Sequence, residues 1–135
     1  MSKPLVVIAA LIALALSPAA GFAADDEPVL PCSKADKELN SVYQKVRKTY
    51  KDDPLFLAKL KVAQRAWIQF RDAHMDSRYP LPQDQYGSIF GECWCAELAS
   101  FTEARTRELR KWLKGTEEGD GCSGSYKWDH QLKRK

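Results

Sequence analysis

The feature that most constrains the fold is an apolar repeat in the middle of the chain. It places side chains suited to burial at alternating spacings of four and three residues, at Phe56, Leu60, Ala63, Trp67, Phe70 and His74. Because an α-helix turns once in about 3.6 residues, these side chains share one face. Asp53 is a suitable N-cap, and Pro54 fits a first turn, where its missing N–H has no intrahelical partner. The repeat therefore predicts a helix of about 20 residues that begins after Asp53.

Two more segments carry helical patterns. In the first, Ser33 is a candidate N-cap with Asp36 as its capping-box partner, and one face is formed by Leu39, Tyr43, Val46 and Tyr50. The other runs from about Cys93 to Lys114, stops at Gly115, and has an inner side of Leu98, Phe101, Thr102, Arg105, Leu109, Trp112 and Leu113. The stretch DSRYPLPQDQYGSIFGE holds two prolines and two glycines, so a connecting loop is predicted there.

Three amphipathic helices with short connections predict an all-α fold, a small up-down-up three-helix bundle. The helical domain spans residues 32–114. Residues 115–135 are rich in glycine and charge, and they are predicted to form a loose, flexible tail except where Cys122 ties it down.

The first 23 residues have the pattern of a secretory signal peptide. A short basic start with Lys3 precedes an apolar run, and the small residues Gly21 and Ala23 favour cleavage after Ala23. The run is too short and wrongly flanked for a membrane span. The sequence VLPC around Cys32 does not favour lipid attachment. We therefore expect a periplasmic or secreted product with no membrane anchor.

Four cysteines follow the predicted signal peptide, at Cys32, Cys93, Cys95 and Cys122. An even number in an exported protein predicts two disulfides. A bridge between Cys93 and Cys95 would be strained, so each is expected to reach a distant partner. The bundle brings Cys32 near both of them. A tail that folds back along the third helix would bring Cys122 to the same end. The residues leave the pairing open.

The stretch QRAWIQFRDAHM concentrates polar and aromatic groups on the second helix. Gln64, Trp67 and Arg71 share a face, with Asp72 about 100° to one side. Arg105 falls within the apolar stripe of the third helix, where an unpaired buried charge is costly. Asp72 is the obvious partner, so the stretch is interpreted as a packed seam with an Asp72–Arg105 ion pair. The alternative is an exposed recognition surface of arginine, tryptophan and glutamine.

The chain carries no pattern typical of an enzyme or a cofactor site. It has no GxSxG and no glycine-rich phosphate loop, and its two histidines lack HExxH spacing. His74 is interpreted as a packed side chain, and CWC as part of structural disulfides rather than reactive thiols. The net charge of +3, or +2 without Lys3, gives no strong field for nucleic acid or anionic lipid. We expect no catalytic residue, no cofactor, no metal and no nucleic acid partner.

The order of these motifs resembles the exported LprI-like family, named after a mycobacterial lipoprotein that inhibits lysozyme. The resemblance runs from about Cys32 to Leu113 through ELN..Y, L...QRAWI.FRDA, GS and TEART.EL. Its motif residues, interpreted as mainly structural, are Leu39, Asn40, Tyr43, Leu60, Gln64, Trp67, Arg71, Asp72, Gly87, Ser88, Thr102, Arg105 and Leu109. The family usually has a cysteine where this chain has Met75, which indicates that the usual bridge is absent or rerouted, with Cys122 a candidate for the replacement.

The resemblance implies a protein that binds and inhibits lysozyme or a related wall-cleaving enzyme. Lysozymes of the animal type have an acidic cleft, so a cationic or polar loop is the expected contact. Arg78 and Tyr79, between the second and third helices, are the residues predicted to make it. Two alternatives stay open: an interaction module for another envelope protein or toxin, and thiol exchange through a low-pKa cysteine.

Overall fold

The structure is a computed structural model that describes residues 30–134. Within that range the chain forms helices and no strand, which confirms the predicted helical class. The long helices are α1 (Pro31–Thr49), α2 (Pro54–Arg78) and α3 (Phe90–Lys114), and the short helix α4 spans Asp129–Lys133. No helix in the described range is both long and apolar enough to cross a bilayer. The predicted signal peptide, residues 1–23, lies outside the described residues.

The helix ends follow local chemistry at most positions. Asp53 is the N-cap of α2, as predicted, and its Oδ1 accepts a hydrogen bond from the Phe56 N–H at 2.9 Å. Gly115 ends α3 with φ of 77°, a conformation that glycine adopts without strain. The predicted Ser33 cap is wrong: α1 begins at Pro31, and Leu30 precedes it without a side-chain cap. Pro31 supplies a preset backbone angle for that first turn.

The core lies mainly between α1 and α3. Its buried cluster consists of Leu39, Val42, Val46, Tyr50, Leu60 and Leu109, with the half-buried Phe56, Trp67 and Trp112 among the side chains packed on it. Val46 and Leu109 have no exposed surface. Burial of side chains of this size contributes about 1.5–3 kcal/mol each. The predicted apolar face of α1 is therefore the face that forms the core.

The inner stripe of α2 differs from the predicted one. Leu60, Gln64 and Met75 are buried, whereas Ala63 and Phe70 are exposed. The helix is thus rotated by about half a residue position, roughly 50°, from the orientation that its apolar repeat predicts, and Leu60 and the half-buried Trp67 stay on the inner side. The rotation brings the polar side chains of the helix toward α1 and α3.

Contacts at both ends of α1 and α3 define how these helices run. The Cys32–Cys95 disulfide joins the first turn of α1 to the second turn of α3, with 5.1 Å between the Cα atoms. At the other end, the Tyr50 hydroxyl donates a hydrogen bond to the Trp112 carbonyl at 3.1 Å. The two helices therefore lie side by side in the same direction. Arg71, in the second half of α2, reaches Asp36 near the start of α1.

The C-terminal segment is packed at Thr116 and over residues 125–129, whereas residues 117–122 are exposed, so the predicted loose tail is only partly right. The Lys127 backbone N–H donates to the Tyr50 hydroxyl at 2.9 Å, and Lys127 Nζ donates to the Thr49 carbonyl at 2.9 Å. The Trp112 indole N–H donates to Ser125 Oγ at 3.0 Å. Composition alone suggested mobility, but the aromatic and hydrogen-bonding groups of this segment find partners at the ends of α1 and α3.

A close backbone approach holds the first residues of this segment. The Thr116 N–H donates to the Lys127 carbonyl at 3.1 Å, and the Asp129 N–H donates to the Thr116 carbonyl at 2.9 Å. A Cβ atom on Gly115 would lie 2.6 Å from the Lys127 carbonyl oxygen. Only glycine fits there, because its φ is positive and the neighbouring backbone leaves no room for a side chain.

The Tyr50 hydroxyl connects three segments, so Tyr50→Phe should destabilise the protein by about 1–3 kcal/mol. The substitution leaves the Lys127 N–H and the Trp112 carbonyl without their partner. Urea denaturation followed by circular dichroism measures the effect as a lower midpoint. Tyr79→Phe is the matched control, since the Tyr79 hydroxyl makes no hydrogen bond within residues 30–134. Equal midpoints for the two variants would contradict the assigned role of Tyr50.

The stability contributed by Tyr50 should also depend on pH. Burial raises the pKa of its hydroxyl above the usual value, against the opposing effect of the Lys127 N–H. The folded state then holds the proton more tightly than the unfolded chain does. Stability is therefore complete below the unfolded pKa of about 10 and is lost as the pH rises through the folded pKa. The free-energy difference between wild type and Tyr50→Phe should shrink in that range, and a constant difference would refute this.

Candidate partner-binding site

Arg71 ties α2 to α1 rather than facing a cleft. Its Nη1 lies 3.4 Å from Asp36 Oδ1, and its Nη2 lies 2.8 Å from Asp72 Oδ1. The guanidinium carbon is 5.4 Å from the centroid of the Trp67 ring, a cation–π distance. Only 17% of the Arg71 side chain is exposed. The Trp67–Arg71 pair thus packs between helices, in agreement with the packed-seam interpretation of this stretch.

The predicted Asp72–Arg105 ion pair is wrong. Arg105 Nε donates to Gln64 Oε1 at 3.0 Å, whereas the Asp72 carboxylate faces its neighbour Arg71 and is 56% exposed. Gln64 lies two turns before Asp72, about 12 Å away along the helix axis. Burial lowers the pKa of Arg105, with Glu108 opposing the shift. Arg105 therefore pairs with a neutral amide at its own level of the bundle.

The other motif residues divide into a buried and an exposed group. Leu39 and Thr102 are buried, and the Thr102 hydroxyl donates to the Leu98 carbonyl at 2.8 Å. Thr106 repeats this arrangement one turn later. Tyr43 is half-buried against the core, whereas the exposed group comprises Asn40, Gly87 and Ser88. No side-chain hydrogen bond joins the exposed group to Trp67 or Arg71 within residues 30–134.

Three aromatic rings shape the connection between α2 and α3. Tyr79 packs edge-on against Tyr86 at 5.7 Å and Phe90 at 5.4 Å between ring centroids, and Tyr86 stacks on Phe90 at 4.7 Å. The Leu81 N–H donates to the Tyr86 hydroxyl at 2.9 Å. Arg78 is exposed, with its guanidinium carbon 5.9 Å from the Tyr79 ring centroid. Of the two predicted contacts, Arg78 is free to reach a partner, while Tyr79 holds the loop in shape.

Large apolar side chains surround this loop and face solvent. Ile89 is 62% exposed, Leu81 is 52% exposed, and Trp94 is 36% exposed. We call Arg78, Leu81, Ile89 and Trp94 the loop face. Exposed apolar residues in the same region as an exposed cation are typical of protein interaction sites. Sequence reasoning missed Ile89, which falls in the predicted connecting loop, and Trp94, which lies outside the inner stripe predicted for α3.

Only part of the predicted disulfide set forms. Cys32 pairs with Cys95, but Cys93 and Cys122 are exposed free thiols within residues 30–134. The prediction of a second disulfide is therefore wrong for the described residues. Cys93 lies in the first turn of α3, whereas the segment of Cys122 packs at Trp112, roughly 28 Å along the helix. A disulfide needs Cα atoms within about 7 Å, so the packed segment keeps the two thiols apart.

His74 packs as predicted. Its ring centroid lies 4.2 Å from that of Phe101, and its Nε2 lies 3.8 Å from Glu97 Oε1. No group of three or more histidine, cysteine or acidic residues in the described part of the chain has metal-binding geometry.

Comparison with protein families identifies the family to which this chain is similar. The family model described as lysozyme inhibitor LprI matches residues 31–109, more than half of the chain. Searches of curated proteins and of solved structures found no match. The matched range covers α1, α2, the loop face and most of α3. The packed segment after Gly115 lies beyond it.

The pairing of Arg105 can be tested by a double-mutant cycle. Arg105→Met should lower the unfolding free energy by about 1–3 kcal/mol, because it leaves the buried Gln64 amide without its donor. Asp72→Asn should change it by less than about 0.5 kcal/mol, as exposed ion pairs contribute little. Denaturant titration of single and double variants should show coupling of Arg105 with Gln64 and none with Asp72. Coupling with Asp72 would restore the pair expected from the sequence.

Proposed function

The chain belongs to the LprI family of lysozyme inhibitors, and from this membership we propose that it inhibits a lysozyme or a related wall-cleaving enzyme. It acts by binding the enzyme and has no catalytic step of its own. The proposal includes the finer architecture, an up-down-up three-helix bundle with one disulfide. It also includes export to the periplasm or beyond.

The family match carries the proposal of inhibition, and the loop face is the surface proposed to contact the enzyme. Glycoside hydrolases of this kind use a pair of carboxylates that flank the scissile bond. Arg78 is an exposed cation at the end of α2, able to pair with such a carboxylate in a partly dehydrated cleft. Ile89 and Trp94 supply exposed apolar area at the same end of the helices. An apolar centre with a guanidinium is the usual composition of an energetic hot spot.

The rigidity of the loop supports tight binding. The Tyr79–Tyr86–Phe90 cluster packs the loop on itself, and the Cys32–Cys95 bridge fixes the same end of the helices. A preorganised loop loses less conformational entropy when it is immobilised by a partner. A larger share of the favourable contact free energy then remains as binding free energy.

Export is supported by the disulfide and by the N-terminal pattern. Disulfides persist mainly in oxidising compartments outside the cytoplasm. The predicted signal peptide would deliver the chain to such a compartment. Lysozymes act on the cell wall, so an inhibitor has to lie on the same side of the membrane as its target.

Purified protein in excess should slow the clearing of peptidoglycan suspensions by lysozyme. The variant Arg78→Glu with Ile89→Asp should weaken inhibition at least about tenfold, because it reverses the cation and removes apolar contact. The control variant Lys59→Glu with Leu55→Asp makes the same chemical changes near the opposite end of α2, where both side chains are exposed. It should inhibit as wild type does.

Several lysozyme types should be tested, with circular dichroism to verify folding. Unchanged clearing rates for all of them would exclude lysozyme inhibition. Capture of a single envelope protein other than lysozyme, lost in the loop-face variant, would assign the loop face to that partner instead. Equal loss of inhibition in the loop-face and control variants would exclude the loop face as the contact.

A further inference from the structure

Positive charge is concentrated where α1 ends and α2 begins. Residues 39–51 and 54–70 together contain seven cations and no acidic residue; the cations are Lys45, Arg47, Lys48, Lys51, Lys59, Lys61 and Arg65. The acids between these two stretches are Asp52 and Asp53, and Asp53 caps α2. A net charge of +3 for the whole chain conceals this local excess. The whole-chain charge therefore does not describe the charge at this end of the helices.

A groove between α1 and α2 gathers three of these cations. Arg47, Lys61 and Arg65 line it, together with Tyr43, Leu57, Ala58 and Gln64. Arg47 lies over the Tyr43 ring at 5.9 Å and donates to the Gln44 side chain at 3.2 Å. We call these lining residues the basic groove.

The cations of the basic groove lack carboxylate partners in the described part of the chain. Two arginines elsewhere do have carboxylate partners, Arg71 with Asp36 and Arg110 with Glu38. Arg47, Lys61 and Arg65 form no such ion pair within residues 30–134. Three unpaired cations facing a common groove repel one another, and an anionic partner would relieve that repulsion.

We propose that the basic groove binds an acidic, extended segment of a protein partner. Lys61 and Arg65 are one helical turn apart, a rise of about 6 Å. Alternate side chains on one face of an extended peptide are about 6.6 Å apart, so two acidic side chains can pair with both cations. Arg47 on the facing helix reaches the same segment from its other edge, and guanidinium groups bind carboxylates through two parallel hydrogen bonds.

The apolar part of the groove favours a peptide over a uniformly charged polymer. Tyr43 and Leu57 are half-buried side chains of the core that line the groove. They offer a surface for an apolar side chain placed among the acidic ones. A polysaccharide or polyphosphate would use the cations and leave this surface uncovered.

The basic groove is separate from the loop face and goes beyond the proposed inhibition. Arg65 and Arg78 are thirteen residues apart on α2, which corresponds to about 20 Å along the helix. Occupation of the groove therefore leaves Arg78, Ile89 and Trp94 free. One molecule can hold an acidic partner at the basic groove and an enzyme at the loop face.

The test uses the purified protein and a fluorescent peptide of alternating glutamate and leucine, with a glutamine–leucine peptide as the neutral probe. Fluorescence anisotropy should show binding of the acidic peptide that weakens as salt is raised. The triple variant Arg47→Gln, Lys61→Gln, Arg65→Gln should bind it about tenfold more weakly, since each ion pair adds a fraction of a kcal/mol. Lysozyme inhibition by this variant should match wild type, whether or not wild type inhibits.

The control variant Lys37→Gln, Lys45→Gln, Lys59→Gln removes the same charge from positions that do not line the groove. It should keep the affinity of wild type. Equal weakening in both triple variants would reduce the effect to overall charge and overturn the proposal. So would equal binding of the neutral peptide, tighter binding of heparin than of the acidic peptide, or self-association that depends on Arg47, Lys61 and Arg65 in sedimentation.

Discussion

The packing of α1 against α3 is the contact on which the rest of the structure depends. Val46 and Leu109 have no exposed surface there. The Cys32–Cys95 bridge joins residues 63 positions apart at one end, worth about 4 kcal/mol if it acts by restricting the unfolded chain. The Tyr50 hydroxyl bonds to the Trp112 carbonyl at the other end. With this pair held at both ends, α2 and the C-terminal segment each need only a limited area of contact.

The limited contact of α2 explains why the candidate surfaces lie along it. Its inner stripe packs through Leu60 and Met75 and is held by polar ties from Gln64 and Arg71. The remainder of the helix is free to present other side chains to solvent. The loop face lies at its C-terminal end, and the basic groove lies along its first half. Two surfaces on one rigid helix keep a fixed separation, so each can bind without distorting the other.

The candidate site was only partly predictable because pairing depends on how helices are rotated and where they meet. Arg71 and Trp67 were correctly placed in the seam between helices, as their spacing indicated. Arg105 was given the wrong partner, because a carboxylate is the stronger ligand but Gln64 lies at the level of Arg105. Of the loop face, the sequence predicted only Arg78. The basic groove was not predicted, because the net charge of the whole chain averages its cations with acidic residues elsewhere. Counting acids segment by segment would have found the excess of cations.

Local chemistry in the sequence determined the helices, the Asp53 cap, the Gly115 stop and the family motif, because each depends on residues within a few positions of one another. The tertiary structure alone decided the rotation of α2, the partner of Arg105 and the packing of the segment after Gly115. It also decided that Cys93 and Cys122 stay apart. These features depend on which surfaces meet over long sequence distances, where the free energy of burial outweighs local preference.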